Sequence, residues 1–272
     1  MDLELTDKTA IVTGSSRGIG KAIARQLARE GVDVAICSRG EEALRVTAEE
    51  LATETGRRVL PIQADMHELD DIRRLVQQAA EAFGRIDILV NCAARLSPTA
   101  PSPTGYEQER LSTISDETII DGFETKMLGY FRCSREVALH MEQQGWGRIV
   151  HLGGLTGRYP LGVSAGMRNA AVSNMTKALA DQLGPSGITV NAVHPAFVWN
   201  EVAQSRIEGM AQREGISVEE ATRFTAQESV IQRIVDATEV ADVVAFLCSP
   251  KAACVTGENI STGGGYGSAV YF

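Results

Sequence analysis

Thr13-Gly14-Ser15-Ser16-Arg17-Gly18-Ile19-Gly20 is the stretch on which the fold of this 272-residue chain turns. It follows a short apolar run, Thr9 to Thr13, and leads into Ile19, Ala22, Ile23 and Leu27 at helical spacing. The stretch therefore joins a strand to a helix. Gly14 lets the chain turn sharply without a Cβ clash. Gly18 lets the backbone approach a ligand, and Gly20 lets the helix pack closely on the sheet. The free N–H groups and positive dipole end of the helix then face the turn, which suits a pyrophosphate. A glycine triplet alone is a weak signal. Its place at a strand–helix junction, with further strand–helix units behind it, points to a dinucleotide site.

Apolar runs at Val32–Cys37, Val59–Gln63, Ile86–Asn91, Arg148–Leu152, Ile188–His194 and Val255–Ile260 alternate with helical patterns. Helices are expected from about Glu41, over Ile72 to Phe83 and over Val172 to Leu183. This alternation predicts an α/β fold: one Rossmann-type domain over 1–272, a doubly wound parallel sheet with helices on both faces. Right-handed crossovers leave a ligand crevice at the carboxyl ends of the strands. Two segments break the rhythm. Residues 96–115 hold three prolines and read as an irregular loop, and residues 200–236 read as a helical lid. Both follow strand ends and can border the crevice.

Composition narrows the function. A net charge of -9 argues against a nucleic-acid or anionic-membrane partner, and no apolar run approaches the roughly 18 residues of a membrane span. The five cysteines are odd in number and widely spaced, as in reduced core thiols, and no cluster has metal-ligand spacing. Met1-Asp2-Leu3-Glu4 is acidic and runs directly into a strand, so a soluble, cytoplasmic protein without a signal peptide is expected.

The Gly-x-x-x-Gly-x-Gly spacing resembles that of the short-chain dehydrogenase/reductase family. Asp65-Met66, Asn91-Cys92-Ala93-Ala94, His194-Pro195-Ala196 and Val255-Thr256-Gly257 with Gly263-Gly264 resemble its other marks, in the right order, over roughly 5–265. The resemblance implies that Gly14, Ser16, Arg17, Gly18, Ile19, Asp65, Met66, Asn91, Ala93, Pro195 and Val198 hold a nicotinamide dinucleotide. It also implies a small-molecule substrate and a homo-oligomer, often a tetramer. The apolar tail 267–272 is consistent with a subunit contact.

The end of the second strand decides between cofactors. A carboxylate there would bond the ribose 2′-hydroxyl of NAD and repel a 2′-phosphate. This chain has Ser38-Arg39 instead, with Arg17 in the glycine turn, and two guanidinium groups suit a phosphate. NADP(H) is expected.

Catalysis is where the resemblance fails. The family uses a Tyr with a Lys four residues on, a Ser, and an Asn on the preceding helix, because hydride transfer to a carbonyl leaves an alkoxide to be protonated. Alignment puts Gly154 at the Ser position, Ala165 at Tyr, Asn169 at Lys and Lys126 at Asn. No Tyr-x-x-x-Lys occurs anywhere, nor the six-residue spacing of the enoyl-reductase relatives. Asn169 and Lys126 look exchanged, so Lys126 is expected to reach the cofactor's ribose from the opposite helix with Asn169 as its hydrogen-bond neighbour; a solvent-facing Lys126 is the alternative. Tyr159 is the first candidate for the acid and Tyr106 the second. His151 reads as a core histidine, and Arg168 lies beside the cofactor helix or points to solvent.

These residues leave three readings: an NADP(H)-dependent oxidoreductase acting on a small carbonyl, alcohol or activated alkene, an inactive cofactor-binding subunit, and a lyase or isomerase on the same fold. Fold does not decide among them.

Overall fold

The computed structural model describes residues 1–94, 111–112, 114–160 and 162–267. The first half runs β1 (Thr9–Thr13), α1 (Gly18–Arg29), β2 (Asp33–Ser38), α2 (Glu41–Thr55), β3 (Val59–Gln63), α3 (Leu69–Phe83), β4 (Ile88–Asn91), α4 (Asp116–Gly122). A π-helical turn, Phe123–Leu128, joins α4 to α5 (Gly129–Gln144). Then come β5 (Gly147–Leu152), α6 (Val163–Leu183), β6 (Ile188–Pro195), β7 (Val198–Trp199), α7 (Glu201–Glu214), α8 (Val218–Gln227), β8 (Val235–Asp236), α9 (Ala237–Cys248) and β9 (Asn259–Thr262).

Seven strands make one parallel sheet in the order β3-β2-β1-β4-β5-β6-β9. Alternation along each strand sends neighbours to opposite faces. In β1, Ala10 and Val12 pack with Ile23, Leu27 and Val244 of α1 and α9. Ile11, between them, packs with Ile72, Leu75 and Val137 of α3 and α5. Burying each such side chain contributes about 1.5–3 kcal/mol, so two apolar layers hold the sheet between helices. This single-domain α/β architecture is the one the alternating runs require.

The chain lays β2 and β3 to one side of β1, then crosses to β4 on the other. The connections leaving β1 and β4 diverge there, and a crevice opens at the strands' carboxyl ends. Residues 198–236 fold above it. The β7–β8 pair ties their two ends together, and Ile207, Met210, Ala211 and Ala221 form a small core of their own.

The last strand differs from its sequence expectation. Val255 sits in a turn, its N–H bonded to the Ala252 carbonyl, and Thr256 and Gly257 dock on Val190 before pairing begins at Asn259. Of the proline-rich segment only 111–112, 114 and 115 are among the described residues, Ser115 capping α4. Tyr106 and residues 268–272 lie outside them.

Candidate functional site

Gly14 turns the chain at the end of β1 with φ +67°, and a Cβ there would stand 2.6 Å from Ala93 Cα. The Thr13 hydroxyl accepts from the Cys92 and Ala93 amides (3.0 and 3.1 Å), fastening the turn to the end of β4. The Ser15 hydroxyl accepts from Cys37 N, and Thr47 donates to the Ser16 carbonyl. Gly20 serves the turn itself: a Cβ would lie 2.3 Å from the Gly14 carbonyl oxygen, closer than anything on the sheet. Gly20→Ala is expected to cost about 1–3 kcal/mol by overpacking. Thermal unfolding should show Tm lower by roughly 2–12 °C; an unchanged Tm overturns this account of the turn.

A cleft of about 1160 Å³ lies over the turn. Gly14, Ser16, Arg17, Gly18, Ile19, Ser38, Arg39, Asp65, Met66, Ala93, Pro195 and Val198 all line it, as do Lys126 and Asn169. Arg17 caps α1 in extended conformation with no side-chain hydrogen bond, which leaves amides of the first turn facing the cleft. The Arg17 and Arg39 side chains are exposed and have no ion pair among the described residues. The Ser38 hydroxyl donates to the Gly40 carbonyl, and Asp65 accepts from His67 N.

Asn91 and Tyr159 are placed otherwise than the sequence suggested. Asn91 is fully buried behind the cleft wall, and its Nδ2 donates to the Tyr130 carbonyl and the Ser134 hydroxyl. Its side chain ties β4 to α5. Tyr159 does not line the cleft: its hydroxyl donates to the Tyr266 carbonyl (3.0 Å) and its ring packs edge-on against Tyr266. The loop after β5 folds toward the chain's last described turn, which draws the phenol away. His151 is a core residue, bonded to the Ser134 and Thr176 hydroxyls, and burial pushes its pKa down to about 3.

Lys126 and Asn169 are brought to one end of the cleft, but not to each other. The Lys126 ammonium, only 7% exposed, donates to the Gly153 carbonyl at 2.8 Å. Burial, helped by repulsion from Arg168 and opposed by Cys92, pushes its pKa down to about 7. It projects from the π-helical turn, a geometry frequent at functional sites, anchored where Thr125 hydrogen-bonds His67. Asn169 Nδ2 donates to the Thr156 hydroxyl (2.6 Å), and its Oδ1 is buried without a hydrogen-bond partner among the described residues. Gly154 leaves room for this amide, since a Cβ would meet Asn169 Nδ2 at 2.8 Å. Gly153 likewise yields to the His194 ring.

Arg168 reaches from α6 to Gly122 and lines the cleft half-buried, with no hydrogen bond or ion pair among the described residues. Sequence reading missed Thr156 and Glu228. A polar residue two places beyond Gly154 was an available signal for Thr156. Glu228, which lines the cleft just beyond α8 with its carboxyl pKa raised by desolvation, had none. Nor did the sequence announce Glu201, the first residue of α7, whose Oε2 accepts from Gly18 N at 3.2 Å. Among the described residues, no group of three or more acidic, His or Cys side chains could hold a metal, and no helix is long and apolar enough to cross a membrane.

Comparison with known proteins gives this geometry a context. The family model described as enoyl-(acyl carrier protein) reductase matches residues 14–267. The chain is 34% identical over 261 residues to the short-chain reductase protein NovJ of Streptomyces niveus, covering 95% of this chain and 94% of that one. It is 36% identical over 263 residues to a peroxisomal 2,4-dienoyl-CoA reductase, (3E)-enoyl-CoA-producing, of Pongo abelii, covering 96% of this chain and 84% of that one. A solved actinorhodin polyketide ketoreductase variant with NADPH superimposes with a TM-score of 0.84 at 36% identity, covering 95% of this chain and 96% of that one.

Proposed function

Because the chain belongs to the short-chain dehydrogenase/reductase family, we propose that it is an NADP(H)-dependent reductase in which Lys126, in place of a tyrosine, carries the proton. The observation behind this reading is one buried ammonium, fixed at the end of the cleft with a pKa near 7. An acid works best when its pKa lies near the working pH, and desolvation has moved this lysine there.

The cleft fits the cofactor at three points. The first-turn amides of α1 suit the pyrophosphate; Arg17 and Arg39, with no ion pair among the described residues, suit a 2′-phosphate; and the Asn169 Oδ1, with no hydrogen-bond partner among them, suits a ribose hydroxyl. When bound, NADPH supplies a hydride to the substrate. Lys126 then gives its proton to the oxygen that receives the electron pair, and regains one from solvent. Arg168 adds a second positive charge beside it, which stabilises the developing oxyanion and favours substrates with an anionic group near the reducible bond. Ala165 and Gly154 offer no hydroxyl here, so the duties of the usual Tyr and Ser fall to other groups.

A conjugated alkene is the second acceptor to consider, favoured by the likeness to a dienoyl-CoA reductase. Its enolate would take the same Lys126 proton. Fluorescence titration with NADPH and NADH, then a ketone and enone panel followed by NADPH consumption, tests both. NADPH binding with turnover on either class is expected. Tight binding without turnover on any of them would transfer the assignment to an inactive binding subunit, or to a lyase or isomerase.

We further propose a homotetramer. Phe131 and Leu139 on α5, and Val163 and Met167 on α6, leave apolar surface that a subunit contact would cover. Light scattering should give about four times 29.2 kDa, and a monomer mass overturns it.

A further inference from the structure

We infer that Glu201 is a built-in competitor for the pyrophosphate, which sets cofactor affinity and ties the lid to the state of the glycine turn. The inference rests on the NADP(H) reading above. Gly18 N, an amide of the first turn of α1, is the donor best placed by sequence and fold for a phosphate oxygen. In the chain by itself it is taken by the Glu201 carboxylate at 3.2 Å. Asn200, the preceding residue, stands over the same glycine: a Cβ on Gly18 would meet its amide at 3.7 Å. The Asn200 Oδ1 in turn accepts from Ala203 N and starts α7, so the contact is made by the lid's first turn and not by a wandering side chain.

Helix N-termini attract anions, and a carboxylate and a phosphate oxygen compete for the same donor. Two anions cannot share it without repulsion, so cofactor binding must displace Glu201. Displacement is cheap because Glu201 is the first residue of α7 and keeps the favourable field of its own helix after leaving. The consequence is mechanical. With the turn empty, the carboxylate holds the start of α7 against it. With the turn filled, α7 is freed from this contact and the lid can adjust over the cleft.

The test compares wild type with Glu201→Ala, Glu201→Gln and the distal charge control Glu214→Gln, at the other end of α7. NADPH dissociation constants are read by fluorescence. Both Glu201 variants should bind NADPH about 2- to 5-fold more tightly, the range expected for one exposed carboxylate at a helix N-terminus. The control should match wild type. Hydrogen exchange at the start of α7 should be faster in the ligand-free Glu201 variants, and should rise in wild type when NADPH is added. Unchanged or weaker binding by Glu201→Ala, with wild type binding normally, overturns this inference alone. A wild type that binds no NADPH overturns the cofactor reading and this inference with it.

Discussion

Replacing Lys126 with methionine is expected to lower kcat for NADPH-dependent reduction by about 10²–10⁴-fold, the usual worth of a positioned acid, while leaving the fold intact. The volume is nearly kept, and what is lost is the ammonium and its bond to Gly153. Wild-type reduction should fall as pH rises through about 7, because the acid must be protonated to act. Arg168→Gln removes a like charge beside Lys126, so the same limb should move to higher pH. Stability gives a readout free of catalysis. The lysine's pKa falls from its ordinary 10.5 to about 7 in the folded chain. Below pH 7 it is charged in both states and the folded chain bears the full desolvation penalty. Between those values the unfolded chain holds the extra proton, so wild-type stability rises with pH. Any stability advantage of Lys126→Met should therefore be largest near pH 6 and shrink towards pH 10. A pH-independent difference, or kcat within a few-fold of wild type, would remove Lys126 from the mechanism.

The second large effect concerns cofactor choice. The double variant Arg17→Gln, Arg39→Gln should weaken NADPH binding by roughly 10²-fold or more, since each hydrogen bond to a charged group contributes about 1.5–3 kcal/mol. NADH binding should change little, because neither guanidinium has another partner among the described residues and NADH brings no 2′-phosphate. Single variants should fall between. Equal loss for both cofactors would mean the arginines hold the pyrophosphate or the fold, not the 2′-phosphate.

Arg17 and Arg39 flank the turn because β1 and β2 are neighbours, and their strands were plain from short β-branched runs. For Lys126 the sequence allows either a cleft or a solvent position, and its burial places it at the cleft. The π-helical turn adds a residue to the local register, so counting at 3.6 per turn does not say where its side chain points. Tyr159 failed for a similar reason. Its loop closes on Tyr266, more than a hundred positions along, and no local pattern records that contact. Asn91 sits at a site-lining place in the sequence, but strand alternation turns its side chain to α5.

The parallel sheet, its helical covers, the sharp turn at Gly14 and the cationic end of β2 can all be read from the chain's residues alone. These depend on periodicity and on steric limits that act within a few residues. That a lysine is stripped of water beside an arginine, that an asparagine keeps an unanswered oxygen, and that the Glu201 carboxylate sits on the glycine turn follows from how distant segments pack together. Desolvation and charge pairing depend on which distant segments meet, and strand and helix periods carry no information about that.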